Sequence, residues 1–252
     1  MSRSVDTYNG WYAYHDFRKI DWNKWKSLKP SHRQQMIQEL QKKAEEYQKT
    51  EDDNKGSFAQ YAVLSHEADL MLIHLRPTIE ELNEVKFGWD KTGFADFTTA
   101  SYSFLSVVEL SAYTIPPGVD PLDDPVFRAR LQPILPKTQY VCFYPMNKRR
   151  VGNDNWFMLP IEERRKMMKS HGMIGRQYEG KVRQIVTGST GLDDWEWGVS
   201  LFSDDPLYFK KLVYEMRFDE ASARFGEFGS FYIGNRLTMD GLTSLLTDNI
   251  NG

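Results

Sequence analysis

The chain repeats itself. "EADLMLIHLRPTIEELNEV" and "DDWEWGVSLFSDDPLYFKKLV" each read as an apolar strand, a break, a proline and an amphipathic helix. Their surroundings recur in the same order. In the first half, Trp11 to Phe17 alternates as a strand, with Trp11, Ala13 and His15 on one face. Ser31 to Lys49 carries Met36, Ile37, Leu40 and Tyr47 near the helical period, with Ser31 placed to cap it. Phe58 to Leu64 and Ala68 to Leu75 form a hairpin, Pro77 opens a helix through Val85, and Tyr102 to Tyr113 is a closing strand. In the second half, Gln139 to Met146 is a strand and Pro160 to Met173 a helix, with proline in its first turn. Lys181 to Thr187 and Glu196 to Phe202 are strands, Pro206 to Phe225 is one helix, and Ser230 to Gly234 is a last strand. Two copies of β-α-β-β-α-β predict an α+β fold of two tandem ferredoxin-like units with antiparallel sheets. Residues 1–114 are the N-terminal half and 138–252 the C-terminal half. The Pro- and Asp-rich stretch 115–137 is a connector long enough to be functional.

Composition excludes several classes. The net charge of −3 argues against a nucleic-acid partner. The single Cys142 rules out an internal disulfide framework and suits a reducing cytosol; it lies in an apolar strand and reads as a buried thiol. The polar start, Met1 to Asn9, lacks an apolar leader, and no stretch approaches 18 apolar residues, so the expectation is a cytoplasmic chain with no membrane span. Aromatics make up 14% of residues, which fits a ring-rich core or a pocket for a large flat ligand.

Five histidines occur without paired-metal spacing. His32 and His66 fall at polar positions, and His15 and His74 inside strands. His171 reads as lying at the end of its helix, just before Gly172, on a face shared with Met167, Met168 and Ile174. It is either a core histidine or an axial iron ligand. In the strand Gln139 to Met146, Tyr140, Cys142, Tyr144 and Met146 share one face, and Pro145 suggests a rim. The run Asn147 to Arg150 is either a solvated turn or a cationic rim for the carboxylates of an amphipathic ligand. Gln184 shares a strand face with Val182 and Val186; a buried amide there needs a backbone partner or a ligand. Arg130, Arg176 and Arg217 each read alone as salt-bridge residues, with Asp219 or Glu220 as partners for Arg217.

"CFYPMNKRR", the run from Asn155 to Asp205, and "EMRFDEASARFGEFGSFYIGN" resemble the coproheme decarboxylases of Gram-positive bacteria, in the chlorite dismutase-like superfamily. "GWYAYHDFRKIDW", "ADLMLIHLRP" and "SYSFLSVVELSAY" extend the resemblance over nearly the whole chain. The resemblance implies a dimeric α/β-barrel-type architecture, a homopentamer, and hand-over of substrate from a coproporphyrin ferrochelatase. It implies oxidative decarboxylation of two propionates of iron coproporphyrin III (coproheme) by hydrogen peroxide, giving haem b, with the substrate as its own redox cofactor. By motif, His171 matches the axial ligand, Tyr144 the tyrosine that becomes a radical, and Gln184 the distal glutamine. Met146 and Lys148 match residues lining the reacting propionate, Lys148 as anchor or proton source. Tyr113, Arg130, Arg176, Arg217 and Ser222 match the wider propionate-binding set. The rival within the superfamily is chlorite dismutase, associated with a distal arginine; Arg183 is one residue from that place, on the other strand face. A haem carrier or sensor is the rival from another class.

Overall fold

The computed structural model describes residues 7–111, 115–116 and 118–247. Along the chain run β1 (Thr7–Ile20), α1 (Trp22–Ser27), α2 (Pro30–Asp52), β2 (Ser57–Val63), β3 (Leu70–Arg76), α3 (Ile79–Asp90), β4 (Thr98–Ser111) and α4 (Pro125–Leu131). There follow β5 (Tyr140–Lys148), the short β6 (Arg150–Val151) and β7 (Asp154–Asn155), α5 (Ile161–Arg176), β8 (Arg183–Gly188) and β9 (Trp197–Ser203). The last elements are α6 (Leu207–Met216), α7 (Glu220–Phe225), β10 (Gly226–Phe228), β11 (Tyr232–Arg236) and α8 (Met239–Leu246). The repeated order read from the sequence is there: β1-α2-β2-β3-α3-β4, then β5-α5-β8-β9-α6-β11. The class is α+β with antiparallel strand pairing.

The described residues fall in two compact units. The first is drawn from Gly10–Leu105, Gln132–Leu135 and Gly234–Gly252. In it β3 pairs with both β1 and β2. Its core sets Ile37 and Leu40 of α2 and Trp89 of α3 against Phe58, Leu70 and Leu72, with Leu242 and Leu246 of α8. Trp25 ties α8 down by donating its Nε1–H to the Leu246 carbonyl at 3.0 Å. The helix read from Ser31 begins instead at Pro30, and Ser31 does not cap it. Proline's fixed φ suits the first helical position, where its missing N–H costs nothing.

His15 and His74 are buried in this unit, His74 stacked on Phe58 with ring centroids 4.8 Å apart. Burial lowers the His15 pKa from 6.5 to about 3. Burial also holds His74 well below its usual value, with Arg76 and His15 adding to the effect. Below pH 6.5 the unfolded chain therefore takes up protons that the folded chain refuses. Stability is complete above that pH and falls as pH drops, by at most about 1.4 kcal/mol per pH unit for each histidine. The urea midpoint is expected to fall between pH 7 and pH 5, and His74→Phe to flatten the slope. Equal midpoints at the two pH values in the unaltered protein defeat this account.

The second unit is drawn from Met1–Asn9, Ser106–Leu131 and Pro136–Ile233. Its strands pair in the sequence β10-β5-β9-β8-β4. Helix α6 covers one face, packing Phe209 and Leu212 on Cys142, Tyr144, Val199 and Leu201. The connector carries α4, whose Leu131 is buried with Leu110 and Ile115. Pro145 does not end its strand. It sits opposite Gly198, its carbonyl accepts from Gly229 N–H at 2.9 Å, and β5 runs on to Lys148 alongside β10.

Candidate active site

Register decides which side chains share a face. Directly paired antiparallel residues project to the same side. Cys142, Leu201 and Gln184 therefore form one row, Tyr144, Val199 and Val186 the next, and Met146, Trp197 and Gly188 a third. Arg183 pairs with Phe202, which faces Val141, on the opposite side of the sheet from Tyr144. Gln184 is exposed, and so is Val186, so the amide needs no protein partner. The expected buried amide is corrected: α6 covers the Cys142 and Leu201 end of the row and leaves the Gln184 end open.

Tyr144 is buried and its ring stacks on Phe231 at 4.4 Å, with Phe228 at 5.8 Å. Burial raises the phenol pKa, the neighbouring Cys142 adds to the rise, and Arg217 opposes it. The Arg217 guanidinium lies 4.0 Å over the Phe228 ring. Its place is on this aromatic group rather than in the expected ion pair with Asp219 or Glu220. Met146 pairs with Phe228 and is half-buried.

The helix holding His171 continues to Arg176, so His171 sits within α5 and not at its end. Gly172 and Gly175 are tolerated in the helix, and Gly175 faces Met216 of α6. The single helix read from Pro206 to Phe225 is broken. Helix α6 stops at Met216, Asp219 is extended (φ −75°, ψ 135°), and α7 begins at Glu220. That break aims Asp219. Its Oδ2 lies 2.9 Å from His171 Nδ1, and Ser222 Oγ stands 3.5 Å from the same nitrogen. Asp219 is buried, whereas the His171 side chain is 27% exposed. A carboxylate on Nδ1 holds the proton there and leaves the Nε2 lone pair as the free ligand position.

Lys148 turns inward rather than into a solvated turn. Its Nζ donates to the Ala221 carbonyl at 2.9 Å and lies 4.7 Å over the Trp156 ring. Burial lowers its pKa to about 8, against the pull of Asp219 and Glu196. Arg149 and Arg150 are exposed and pair loosely with Glu227 and Glu196, each at 3.7 Å.

The structure thus joins His171, Ser222 and Lys148 through α7, and Tyr144, Met146 and Arg217 through Phe228. Arg176 is exposed and lies five residues past His171, about 140° round the helix. Arg130 is exposed on α4. Tyr113 lies outside the described residues. Trp156 was not singled out from the sequence, and Asp219 was read there only as a partner for Arg217. For Asp219 a trace existed: an acidic residue just before "EASARF" marks a helix start.

The donor set says what kind of metal group fits. Among the described residues no three His, Cys, Asp or Glu side chains gather to hold a bare ion. One imidazole, fixed from behind by a buried carboxylate, is what an iron that brings its own macrocyclic ligands asks of a protein.

Comparison with known proteins agrees on ancestry. A protein from Thermus thermophilus, described as a novel heme-binding protein identified from its structure, is 47% identical, with 98% of each chain covered and a TM-score of 0.93. Chlorite dismutase from Candidatus Nitrospira defluvii in complex with imidazole superposes with a TM-score of 0.76 at 20% identity, over 94% of this chain and 95% of that one. A variant of that enzyme in complex with cyanide gives 0.76 at 19% identity over the same shares. The chlorite dismutase family profile matches residues 33–237, and the chain belongs to that family.

Proposed function

We propose that the second unit binds an iron porphyrin through Nε2 of His171, and that the protein is a coproheme decarboxylase. The observation that carries this is the His171–Asp219 pair, a single oriented imidazole with no other metal-ligand cluster among the described residues. The heme-binding description of the 47% identical Thermus protein supports the porphyrin. The resemblance in the motifs around Tyr144 and His171 supports coproheme as the particular one.

When bound, the iron porphyrin supplies one-electron oxidising chemistry with hydrogen peroxide. The chain does the rest. With the porphyrin bound, Tyr144 would give an electron to the peroxide-oxidised porphyrin as it loses its phenolic proton, and would regain both as a hydrogen atom from the β-carbon of a propionate. Loss of a second electron and of carbon dioxide leaves a vinyl group. Each propionate and one proton consume one peroxide and give a vinyl, carbon dioxide and two waters. Gln184 offers a neutral hydrogen bond from the Tyr144 face without calling for an anion. Lys148, with its pKa near 8, is a proton source rather than an outer anchor. Met146, Arg217 and Ser222, with Tyr113, Arg130 and Arg176, form the propionate-binding set. The same proposal includes tandem ferredoxin-like halves (1–114 and 138–252, joined by 115–137) in a dimeric α/β-barrel-type arrangement, a homopentamer, a cytoplasmic setting and delivery by a coproporphyrin ferrochelatase. Among the described residues no helix is long and apolar enough to cross a membrane.

The test is to load the protein with coproheme, titrate hydrogen peroxide and follow the porphyrin by mass spectrometry. Two successive decarboxylations ending in haem b are expected. Bound porphyrin that survives peroxide with all four propionates makes the protein a carrier or sensor instead.

A further inference from the structure

Glu109 on β4 belongs to the same sheet face. Val107 pairs with Gly188, so Glu109, two residues on, projects to the side of Gly188, Val186 and Gln184. Through β9 and β5 that is also the side of Tyr144 and Met146. The position is built for a carboxylate. Its Oε1 accepts from Trp197 Nε1 at 3.3 Å. A Cβ on Gly188 would stand 2.6 Å from Glu109 Cδ and 2.7 and 2.8 Å from its two oxygens. Glycine weakens a strand, and here its bare backbone is what admits the carboxyl group. Glu109 is only partly buried, so a small molecule at this face can reach it.

Its electrostatic surroundings are simple. Facing it are Gly188 and Val186 of β8 and Trp197 of β9, none of which ionises in the working range. Arg183 projects to the opposite face, and Glu196 is bound to the Lys148 backbone N–H and to Arg150. The β1 residues of this unit, Thr7 to Asn9, offer only the phenol of Tyr8. Burial raises the Glu109 pKa above the usual carboxyl range, and the Trp197 bond opposes that rise.

Building on the porphyrin reading above, we propose that Glu109 is the proton acceptor for weakly acidic small ligands, hydrogen peroxide among them, that arrive at this face. The proton of such a ligand HX moves to Oε2 of Glu109, the H–X bonding pair stays on X, and the anion X⁻ is released for binding. Nothing is oxidised or reduced in this step. Gln184 cannot replace Glu109, because a neutral amide donates a hydrogen bond but does not take a proton at these pH values.

Hydrogen cyanide is a suitable probe, being a weak acid that binds ferric haem as its anion. In haem-loaded protein the cyanide association rate should rise with pH through one step, set by Glu109. Glu109→Gln should lower the rate at least tenfold and abolish the step, and Glu109→Asp should restore part of it. Trp197→Phe removes the donor and should move the step to higher pH. A readout independent of haem is the ¹³C carboxyl resonance of Glu109 in the porphyrin-free protein, expected to titrate above the ordinary glutamate range. A wild-type cyanide rate in Glu109→Gln, with an unaltered haem spectrum, overturns this proposal and leaves the porphyrin reading standing. A Glu109 resonance that titrates at or below the ordinary range also overturns it. Failure of the unaltered protein to bind haem removes the porphyrin reading itself.

Discussion

In Tyr144→Phe, formation of haem b from coproheme and peroxide falls by more than about 100-fold, or about 2.7 kcal/mol in the barrier. Porphyrin binding and the ferric spectrum stay as they were. The ring remains and keeps its stack on Phe231 and its contact with Phe228. What is lost is the O–H, the group that the proposed reaction oxidises. Stability should change by about 1 kcal/mol or less, the usual worth of one hydroxyl. Tyr140 lies on the same face but four residues away, roughly 13 Å along the strand, too far to take a hydrogen atom from the same carbon. Mass spectrometry of the porphyrin after peroxide decides the matter. Haem b made at the unaltered rate would move the radical to another residue.

His171→Ala carries two separable losses. The imidazole that Asp219 orients is gone, so the Soret band of the loaded ferric protein shifts and porphyrin affinity falls by more than about 100-fold, beyond the usual effect of removing a mere outer-shell partner. The empty place also strands Asp219. That residue is buried, and Oδ1 has no hydrogen-bond partner among the described residues, so losing the His171 contact at Oδ2 adds an unsatisfied carboxylate oxygen. A stability loss of about 1–3 kcal/mol follows in the porphyrin-free protein. The double variant His171→Ala, Asp219→Ala should recover much of that stability and none of the spectrum. A single variant with an unchanged spectrum ends the assignment of His171 as the ligand.

The repeat was legible because strands and helices here carry clean periods, and the chain writes the same order twice, once in each half. Tyr144 and Gln184 could be placed on their faces by alternation alone, since period 2 leaves no slack, and the strand pairing puts both on one side. The helix break before Asp219 left only a faint trace, the acidic residue just before "EASARF". Leu212, Met216 and Phe225 sustain an apolar pattern through it, and only tertiary contact with α5 gives the extended Asp219 a reason. Lys148 was read as part of a basic turn because its neighbours are Arg149 and Arg150. Its inward course depends on Trp156 and Ala221, which are 8 and 73 residues away in the chain. Glu109 gave no sign, because its significance rests on the missing side chain of Gly188 in another strand.

The aromatic sleeve around Tyr144 bears on how long a charge stays there. Phe228 and Phe231 border its ring, and a benzene ring gives up an electron far less readily than a phenol. Cys142, two residues back on the same face, is pushed up to about 12 by burial, so it stays a thiol and not the easily oxidised thiolate. In the proposed reaction, an electron vacancy placed on Tyr144 would therefore meet insulation on these sides. Under the proposed reaction this would favour breaking a carbon–hydrogen bond of the substrate over passing the vacancy to these neighbours.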